Sequence, residues 1–547
     1  MEIFNKSSEL ETPITTAGPP ADQRSESVAV AGAAEGPHDQ ADSEAWVEKT
    51  DRRDASWDLR EGPKNYVVLV STQVASAVFS FLAVWIATRQ LGPAGYGGVV
   101  AIIAASQIVI LLAINWTGMT VTRYGCQEFV ETGRIASAFW TRLAIVLPNV
   151  GLVIATIPFW LPKVSEMLHL PPRAGWLVIG LILANILWGH VQQALQGLKL
   201  LRLQGWLLTV ERALIFFSMG WLALSGAISV WSVCCVYALG PLLASVVGLL
   251  RIRKLIWPVG GIDLSLLRRM LKFAVPLIPA AFIGYLSSYY FDALFILHFL
   301  SESELGVYAV VYQLTGLTQQ LPALAGTLLM PFFVTLQTDK NDNRTARFIV
   351  EVLPLLTLLW TLACAFVATA GWYLLPLIFG AKFSQTAPLL WPLMAASAFV
   401  GPWLMGYGPI TTSAARTPLI TIAVLSGSCA NVGLNWILIP RFGLLGCAWA
   451  TTVASAINLV IIFYMVHRSS LAKRTWTLQA VLPIGIGALY ASVFGENIVA
   501  FGLTVMASLV IGVAHRKSLI RSLATMREYG RFVSHEGSSI ARAREAL

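Results

Sequence analysis

From residue 66 to residue 514 the chain is a succession of uncharged, apolar runs separated by short polar loops. A bilayer core about 30 Å thick is crossed by roughly 20 helical residues, and most of the runs have that length. By this ruler the sequence predicts about 14 transmembrane helices. The expected fold is all-α and integral to the membrane, because backbone polar groups in hydrocarbon must be satisfied within their own segment. Charge content agrees: Asp, Glu, Lys and Arg make up 12% of the chain against 56% apolar residues, and mean hydropathy is +0.68. A soluble chain of this size needs about a quarter of its residues charged. Cytosolic enzymes, secreted disulfide scaffolds and disordered proteins are excluded together.

The charges that remain are unevenly placed. Residues 1–64 carry a net −7, residues 65–514 a net +12 and residues 515–547 a net +4. The surplus lies in loops between apolar runs, as in cytoplasmic membrane loops, so no nucleic-acid partner is expected. With the N-terminus inside, the inner loops hold 18 Lys and Arg, among them Arg123, Arg134 and Arg142. The outer loops hold five: Arg89, Lys163, Arg173, Lys382 and Arg441. Both termini are therefore expected to be cytoplasmic. The first 64 residues lack the basic start and apolar core of a signal peptide and read as a disordered acidic tail, with a regulatory docking segment as the alternative. Cys126, Cys234, Cys235, Cys364, Cys429 and Cys447 show no CxxC spacing. They read as small apolar residues, and no metal or cofactor is expected.

An internal repeat divides the chain. Leu91-Gly-Pro-Ala-Gly-Tyr-Gly97 follows the first span and Leu300-Ser-Glu-Ser-Glu-Leu-Gly306 follows the seventh, 209 residues on. Each runs from a Leu to a Gly and then into a long apolar helix. The spacing implies an N-lobe of six spans (65–255) and a C-lobe of six (256–470). Their pseudo-two-fold axis would run along the membrane normal. An extra span pair (471–514) and a basic tail (515–547) follow. In that tail Leu519, Leu523 and Met526 recur at helical spacing among Arg516, Lys517, Arg521 and Arg527. The pattern suits either a basic amphipathic helix on the inner leaflet or a solvated tail.

Motifs for nucleotide, zinc-protease and serine-hydrolase chemistry are absent: there is no GxxxxGK[ST], HExxH, GxSxG, or GxGxxG after a strand. The chemistry must lie in polar groups inside spans, which are costly there and usually face a cavity or a partner. Arg212 falls about seven residues into span 5, roughly 10 Å deep. Its neighbour Glu211 is expected to point elsewhere, since adjacent helical positions do not share a face. Arg212 has two readings, a structural ion pair with Asp292 or a cation facing the cavity. His190 reads as a packing histidine beside Gln192, Gln193 and Gln196. Arg142 and Lys272 are expected to snorkel, and Asn431 and Asn435 to bond neighbouring helices. The candidate cavity set is Arg212, Asp292, His190, Arg123, Arg142, Gln193, Asn431 and Asn435.

Four stretches carry a family likeness. Arg89-Gln-Leu-Gly-Pro-Ala-Gly-Tyr-Gly97 resembles the first outer loop of bacterial polysaccharide flippases. Leu271-Lys-Phe-Ala-Val-Pro276, followed by Asp292 and Glu304-Leu-Gly306-Val-Tyr308, is similar to the same family. Asn431-Val-Gly-Leu-Asn435 through Pro440, Gly443, Gly446 and Ala448 is a third match. Leu377-Ile-Phe-Gly380-Ala-Lys-Phe383 matches more loosely. Together they cover residues 66–468 in the family's order. The resemblance implies the multidrug/oligosaccharidyl-lipid/polysaccharide exporter superfamily, with two six-helix lobes about a V-shaped cavity. The implied cargo is an undecaprenyl-diphosphate-linked oligosaccharide, moved to the outer leaflet of the inner membrane. A polysaccharide polymerase and co-polymerase are the implied partners, and the protein would not be an enzyme. The long N-terminal tail and the last two spans depart from the family pattern. A lipid II flippase and a small-molecule antiporter of the same superfamily remain alternatives. The antiporter would want carboxylates in the N-lobe, where Glu211 is the one acid deep in a span. A membrane polymerase or ligase would want a large outer loop, and the longest here is about Pro162–Ala174.

Overall fold

The structure is a computed structural model and describes residues 37–167, 174–257, 263–286, 288–338, 344–413, 417–468 and 475–526. The chain divides into two units, Met1–Asp58 and Leu59–Leu547, and apart from residues 37–58 the fold set out below is that of the second. Most of the acidic tail (1–36) and the end of the basic tail (527–547) lie outside the described residues.

The helices are α1 (Pro37–Ile114), α2 (Gly118–Thr132), α3 (Ala136–Met167), α4 (Ala174–Gly197), α5 (Leu201–Leu224), α6 (Val230–Ile256) and α7 (Leu264–Ala274). They continue with α8 (Ile278–Leu286), α9 (Tyr289–Phe299), α10 (Glu302–Thr338), α11 (Arg344–Arg347), α12 (Leu353–Phe379), α13 (Ala387–Pro402) and α14 (Gly408–Ser413). The last are α15 (Thr417–Arg468), α16 (Thr477–Phe494), α17 (Asn497–Ala514) and α18, residues 516–526. No strand occurs among the described residues.

Ten helical segments among the described residues are long and apolar enough to cross a membrane. Two of them, Val70–Leu111 and Leu419–Arg468, run for 42 and 50 residues. At 1.5 Å per residue each is about twice as long as a bilayer core is thick. Each breaks at a glycine with positive φ, Gly92 (φ 68°) and Gly443 (φ 58°). Those breaks fall where the sequence places the loops between spans 1 and 2 and between spans 11 and 12. A side chain at either position would strain the backbone, which is why glycine turns the chain there. The protein is a multi-pass membrane protein.

Its outer surface is apolar in the way lipid permits. Phe159, Trp176, Leu224, Ile498 and Val513 are exposed along the helices, and in water such a surface would drive association. Inside, hydroxyls bond back along their own helices, as Ser76 does to Thr72 O (2.8 Å) and Thr88 to Val84 O (2.8 Å). The α16–α17 pair is fastened to the C-terminal half by buried polar contacts. Trp391 donates to Asn497 Oδ1 (2.8 Å), Asn497 donates to Thr369 O (3.2 Å), and Trp449 donates to Ser492 Oγ (3.1 Å).

At one end the two halves close on each other. Arg89 donates from Nε to Ile378 O and from Nη2 to Leu377 O, both at 2.7 Å, and Trp85 Nε1 donates to Ile378 O (2.9 Å). These carbonyls end α12, where the helix dipole favours a cation. Beside them the repeated glycines lie backbone against backbone. A Cβ on Gly97 would overlap the Glu302 carbonyl, and one on Gly306 would overlap the carbonyl of Pro93.

The C-terminal helix is amphipathic in an unexpected sense. In α18 the polar Ser518, Ser522 and Thr525 face the protein. Ser518 accepts from Trp476 Nε1 (3.1 Å), Ser522 donates to the Glu351 carbonyl, and Thr525 donates to Glu351 Oε2 (2.5 Å). Of the apolar stripe read from sequence, Leu519 packs beside Leu358 and Trp476, while Leu523 and Met526 are exposed together with Ile520.

Candidate functional site

A cavity of about 390 Å³ lies between the two halves of the protein. α1 lines it with Gln73, Ser76, Ser80 and Tyr96, α5 with Glu211 and Arg212, α6 with Tyr237, α9 with Tyr289 and Tyr290, and α10 with Tyr312 and Gln313. Gln107, Asn185 and Gln320 complete its amide groups. Spans can present such a set because the side chains lie along a cavity between helices rather than against lipid. Glu211 and Arg212 are the charged residues of this lining among the described residues. Arg212 Nε stands 3.7 Å from Glu211 Oε2, with Arg212 about one-third exposed and Glu211 buried.

Of the two readings of Arg212, the ion pair with Asp292 is not found among the described residues. One expectation is corrected: Glu211 does not point away from Arg212. Adjacent Cα atoms differ by about 100° around the helix, but both side chains are long enough to converge where the cavity gives them room.

Asp292 lies instead in the C-terminal half, buried against α10 and α15. Its Oδ1 accepts from Asn435 Nδ2 (2.8 Å) and Asn431 Nδ2 (3.2 Å), and its Oδ2 from Tyr308 OH (3.2 Å) and Thr451 Oγ1 (3.3 Å). Asn435 also donates to Asn431 Oδ1 (2.8 Å). The four-residue spacing of the two asparagines thus serves a carboxylate shared between helices. That Asp292 and the two asparagines belong together was not legible in sequence.

Arg142 corrects a second expectation. It does not snorkel: only 1% of it is exposed, and it reaches from α3 across to α4. Nε donates to Thr117 Oγ1 (3.1 Å) and Nη1 meets His190 Nδ1 (2.7 Å). Arginine can only donate, so His190 Nδ1 accepts and the ring proton sits on Nε2. Phe139 packs against that ring, 4.3 Å between centroids. His190 Nε2 and the nearby Gln193 Oε1 are buried without hydrogen-bond partners among the described residues. No ion pair to Arg142 is found among the described residues, so its burial is served by neutral acceptors alone. Arg142→Ala is expected to cost about 2–4 kcal/mol through the void it leaves. Arg142→Met, which fills the space without a charge, should recover most of that loss. Thermal unfolding of the detergent-solubilised variants measures both.

Arg123 is exposed on α2, its guanidinium 4.8 Å from the Phe273 ring centroid. Of the eight candidate residues, only Arg212 is part of the cavity wall. Sequence reasoning missed the tyrosines. The signal available was the Tyr289-Tyr290 pair and the four-residue spacing of Tyr308 and Tyr312 inside apolar helices. No group of three or more His, Cys, Asp or Glu able to hold a metal occurs among the described residues.

The fold and its cavity define a class: helical, multi-pass membrane proteins built around a polar space between two halves. The chain belongs to the polysaccharide biosynthesis protein family, whose pattern matches residues 63–337. No curated protein matches it in sequence. In structure it is similar to the lipid II flippase MurJ in an inward closed conformation, with a TM-score of 0.62 at 14% identity. That alignment covers 82% of this chain and 99% of MurJ. It is also similar to a multidrug resistance MATE family transporter of the MOP superfamily in its inward-facing conformation, with a TM-score of 0.52 at 14% identity. This second match covers 74% of this chain and 98% of the transporter. At such identities the likeness is one of fold.

Proposed function

We propose that the protein is a flippase for polyprenyl-diphosphate-linked oligosaccharides, carrying repeat units from the cytoplasmic to the outer leaflet of the inner membrane. The observation that carries this reading is the polar cavity between the halves, which touch where Arg89 holds the end of α12 and where Gly97 meets Gly306. A diphosphate sugar cannot enter hydrocarbon, since burying an unpaired ionised group costs tens of kcal/mol on a simple solvation estimate. A carrier must therefore offer it a hydrated, polar path while the polyprenyl chain stays in lipid. The lobes are residues 65–255 and 256–470, both termini are cytoplasmic, and the closed end faces outward. A polymerase and co-polymerase would receive the product. Labelling of Glu302→Cys by an impermeant reagent in intact cells supports this orientation, and labelling only after permeabilisation overturns it.

Arg212 is the cation of the cavity wall, and its guanidinium can take two phosphate oxygens at once. In this state Glu211 holds it, and the diphosphate would compete for it. Arg212→Ala should leave membrane abundance near normal while polymer export falls at least about tenfold, and Arg212→Lys should keep part of it. Unchanged export in Arg212→Ala would remove the residue from the mechanism. Lipid II is the second reading, favoured by the fold shared with the lipid II flippase. Reconstituted transport of lipid II, with none of a polyprenyl-diphosphate repeat unit, would decide for it.

A further inference from the structure

Tyrosines dominate the aromatic part of the cavity wall: Tyr96, Tyr237, Tyr289, Tyr290 and Tyr312. Tyr289 stands at their centre. Its ring is stacked on that of Tyr312 at 4.9 Å and tilted toward that of Tyr290 at 5.5 Å. Its hydroxyl is buried and has no hydrogen-bond partner among the described residues. Stacked rings alone would serve packing, and phenylalanine would do that without leaving a buried hydroxyl unmet. An unpartnered hydroxyl on a cavity wall is what a ligand group would satisfy.

A pyranose offers one face of C–H bonds and a rim of hydroxyls. A tyrosine offers a flat apolar face and a hydroxyl at its edge. The amides around the rings, Gln73, Gln107, Asn185, Gln313 and Gln320, each donate and accept, which suits hydroxyls that do both. The charges are matched: among the described residues of the wall, Arg212 is countered by Glu211 at 3.7 Å. When a diphosphate takes Arg212, it does so in place of the buried Glu211, and no net positive charge is left for the glycan.

We infer that this cradle is the glycan subsite and that it takes uncharged sugars and rejects uronates. The inference rests on the flippase reading above. A hexose finds apolar faces and two-way hydrogen-bonding groups there. Among the described residues of the wall a carboxylate finds no cation but Arg212, for which Glu211 and the diphosphate already compete, so its desolvation goes uncompensated.

The test uses the full-length protein in lipid nanodiscs and three probes. They are undecaprenyl diphosphate alone, the same lipid bearing a disaccharide of neutral hexoses, and the same lipid bearing a hexose–hexuronate disaccharide. The neutral glycolipid should bind about tenfold more tightly than either of the others. Tyr289→Phe keeps the ring and removes only the unpartnered hydroxyl. It should weaken binding of the neutral glycolipid severalfold and leave the sugar-free lipid unchanged. Glu211→Gln should improve binding of the hexuronate lipid by about tenfold. Equal or tighter binding of the hexuronate lipid by the unaltered protein overturns the inference and leaves the flippase reading standing. Unchanged neutral-glycolipid binding in Tyr289→Phe also overturns it. Failure of all three lipids to bind overturns the flippase reading and this inference with it.

Discussion

Gly97→Val is expected to stop export while leaving the protein in the membrane. A Cβ at this position would occupy the place of the Glu302 carbonyl oxygen, and backbone cannot be pushed aside as a flexible side chain can. The substitution acts where the two backbones touch, beside Tyr96 of the cavity wall and the buried Val99, Leu305 and Val307. The closed arrangement should lose several kcal/mol relative to one in which α1, just after its Gly92 break, separates from the start of α10, enough to shift the population by more than about a hundredfold. Export of polymer should fall to background with near-normal abundance on a membrane immunoblot. Impermeant labelling of a cysteine placed at Ser301 should increase. Gly306→Val, which meets the Pro93 carbonyl, should behave alike. Normal export in either variant would show that the two backbones do not need to touch during the cycle.

The second large effect is expected at Asp292, and it is one of folding. Asp292→Leu strands two amides and two hydroxyls that now donate to the carboxylate. Unmet buried donors cost about 1–3 kcal/mol each before relaxation. The interhelical contacts of membrane proteins average less than that, because the groups find other partners. A net loss of about 3–5 kcal/mol is expected, seen as a collapse in abundance and in thermal stability in detergent. Asp292→Asn, which keeps an acceptor oxygen, should lose much less. Adding Arg212→Ala to Asp292→Leu should restore nothing, because Arg212 pairs with Glu211 and not with Asp292. Recovery of abundance in that double variant would contradict the observed pairing.

The parts of this fold that were legible in sequence are those governed by the bilayer. Span length follows from its thickness, so the loops at Gly92 and Gly443 could be placed from apolar runs alone. The repeat of Gly97 and Gly306 was visible as spacing, but their contact was not, since spacing does not say which loops meet. The side-chain errors share a cause: one sequence does not say how many helices surround a residue. Arg142 looked like a surface cation because it lies near a helix end, yet neighbouring helices cover it. Asp292 looked like a partner for the one deep cation, yet neutral amides and hydroxyls serve it. The tyrosines escaped notice because an aromatic residue does not interrupt an apolar run, whereas a charge does. Sequence reasoning of this kind finds charges and amides and overlooks tyrosines, and five tyrosines among the described residues line the cavity.

The fastening at the closed end has a property that matters for anyone altering it. Arg89 and Trp85 grip the main-chain oxygens of Leu377 and Ile378 rather than any side chain. Half of the clasp is therefore silent to substitution: every amino acid at positions 377 and 378 supplies the same acceptor. Exchange among apolar residues of similar size at those two sites should register as near-tolerant, even though the contact helps hold the two halves together. The vulnerability sits wholly on the donor side, so a screen scoring both strands of the clasp would misplace its importance by 289 positions along the chain.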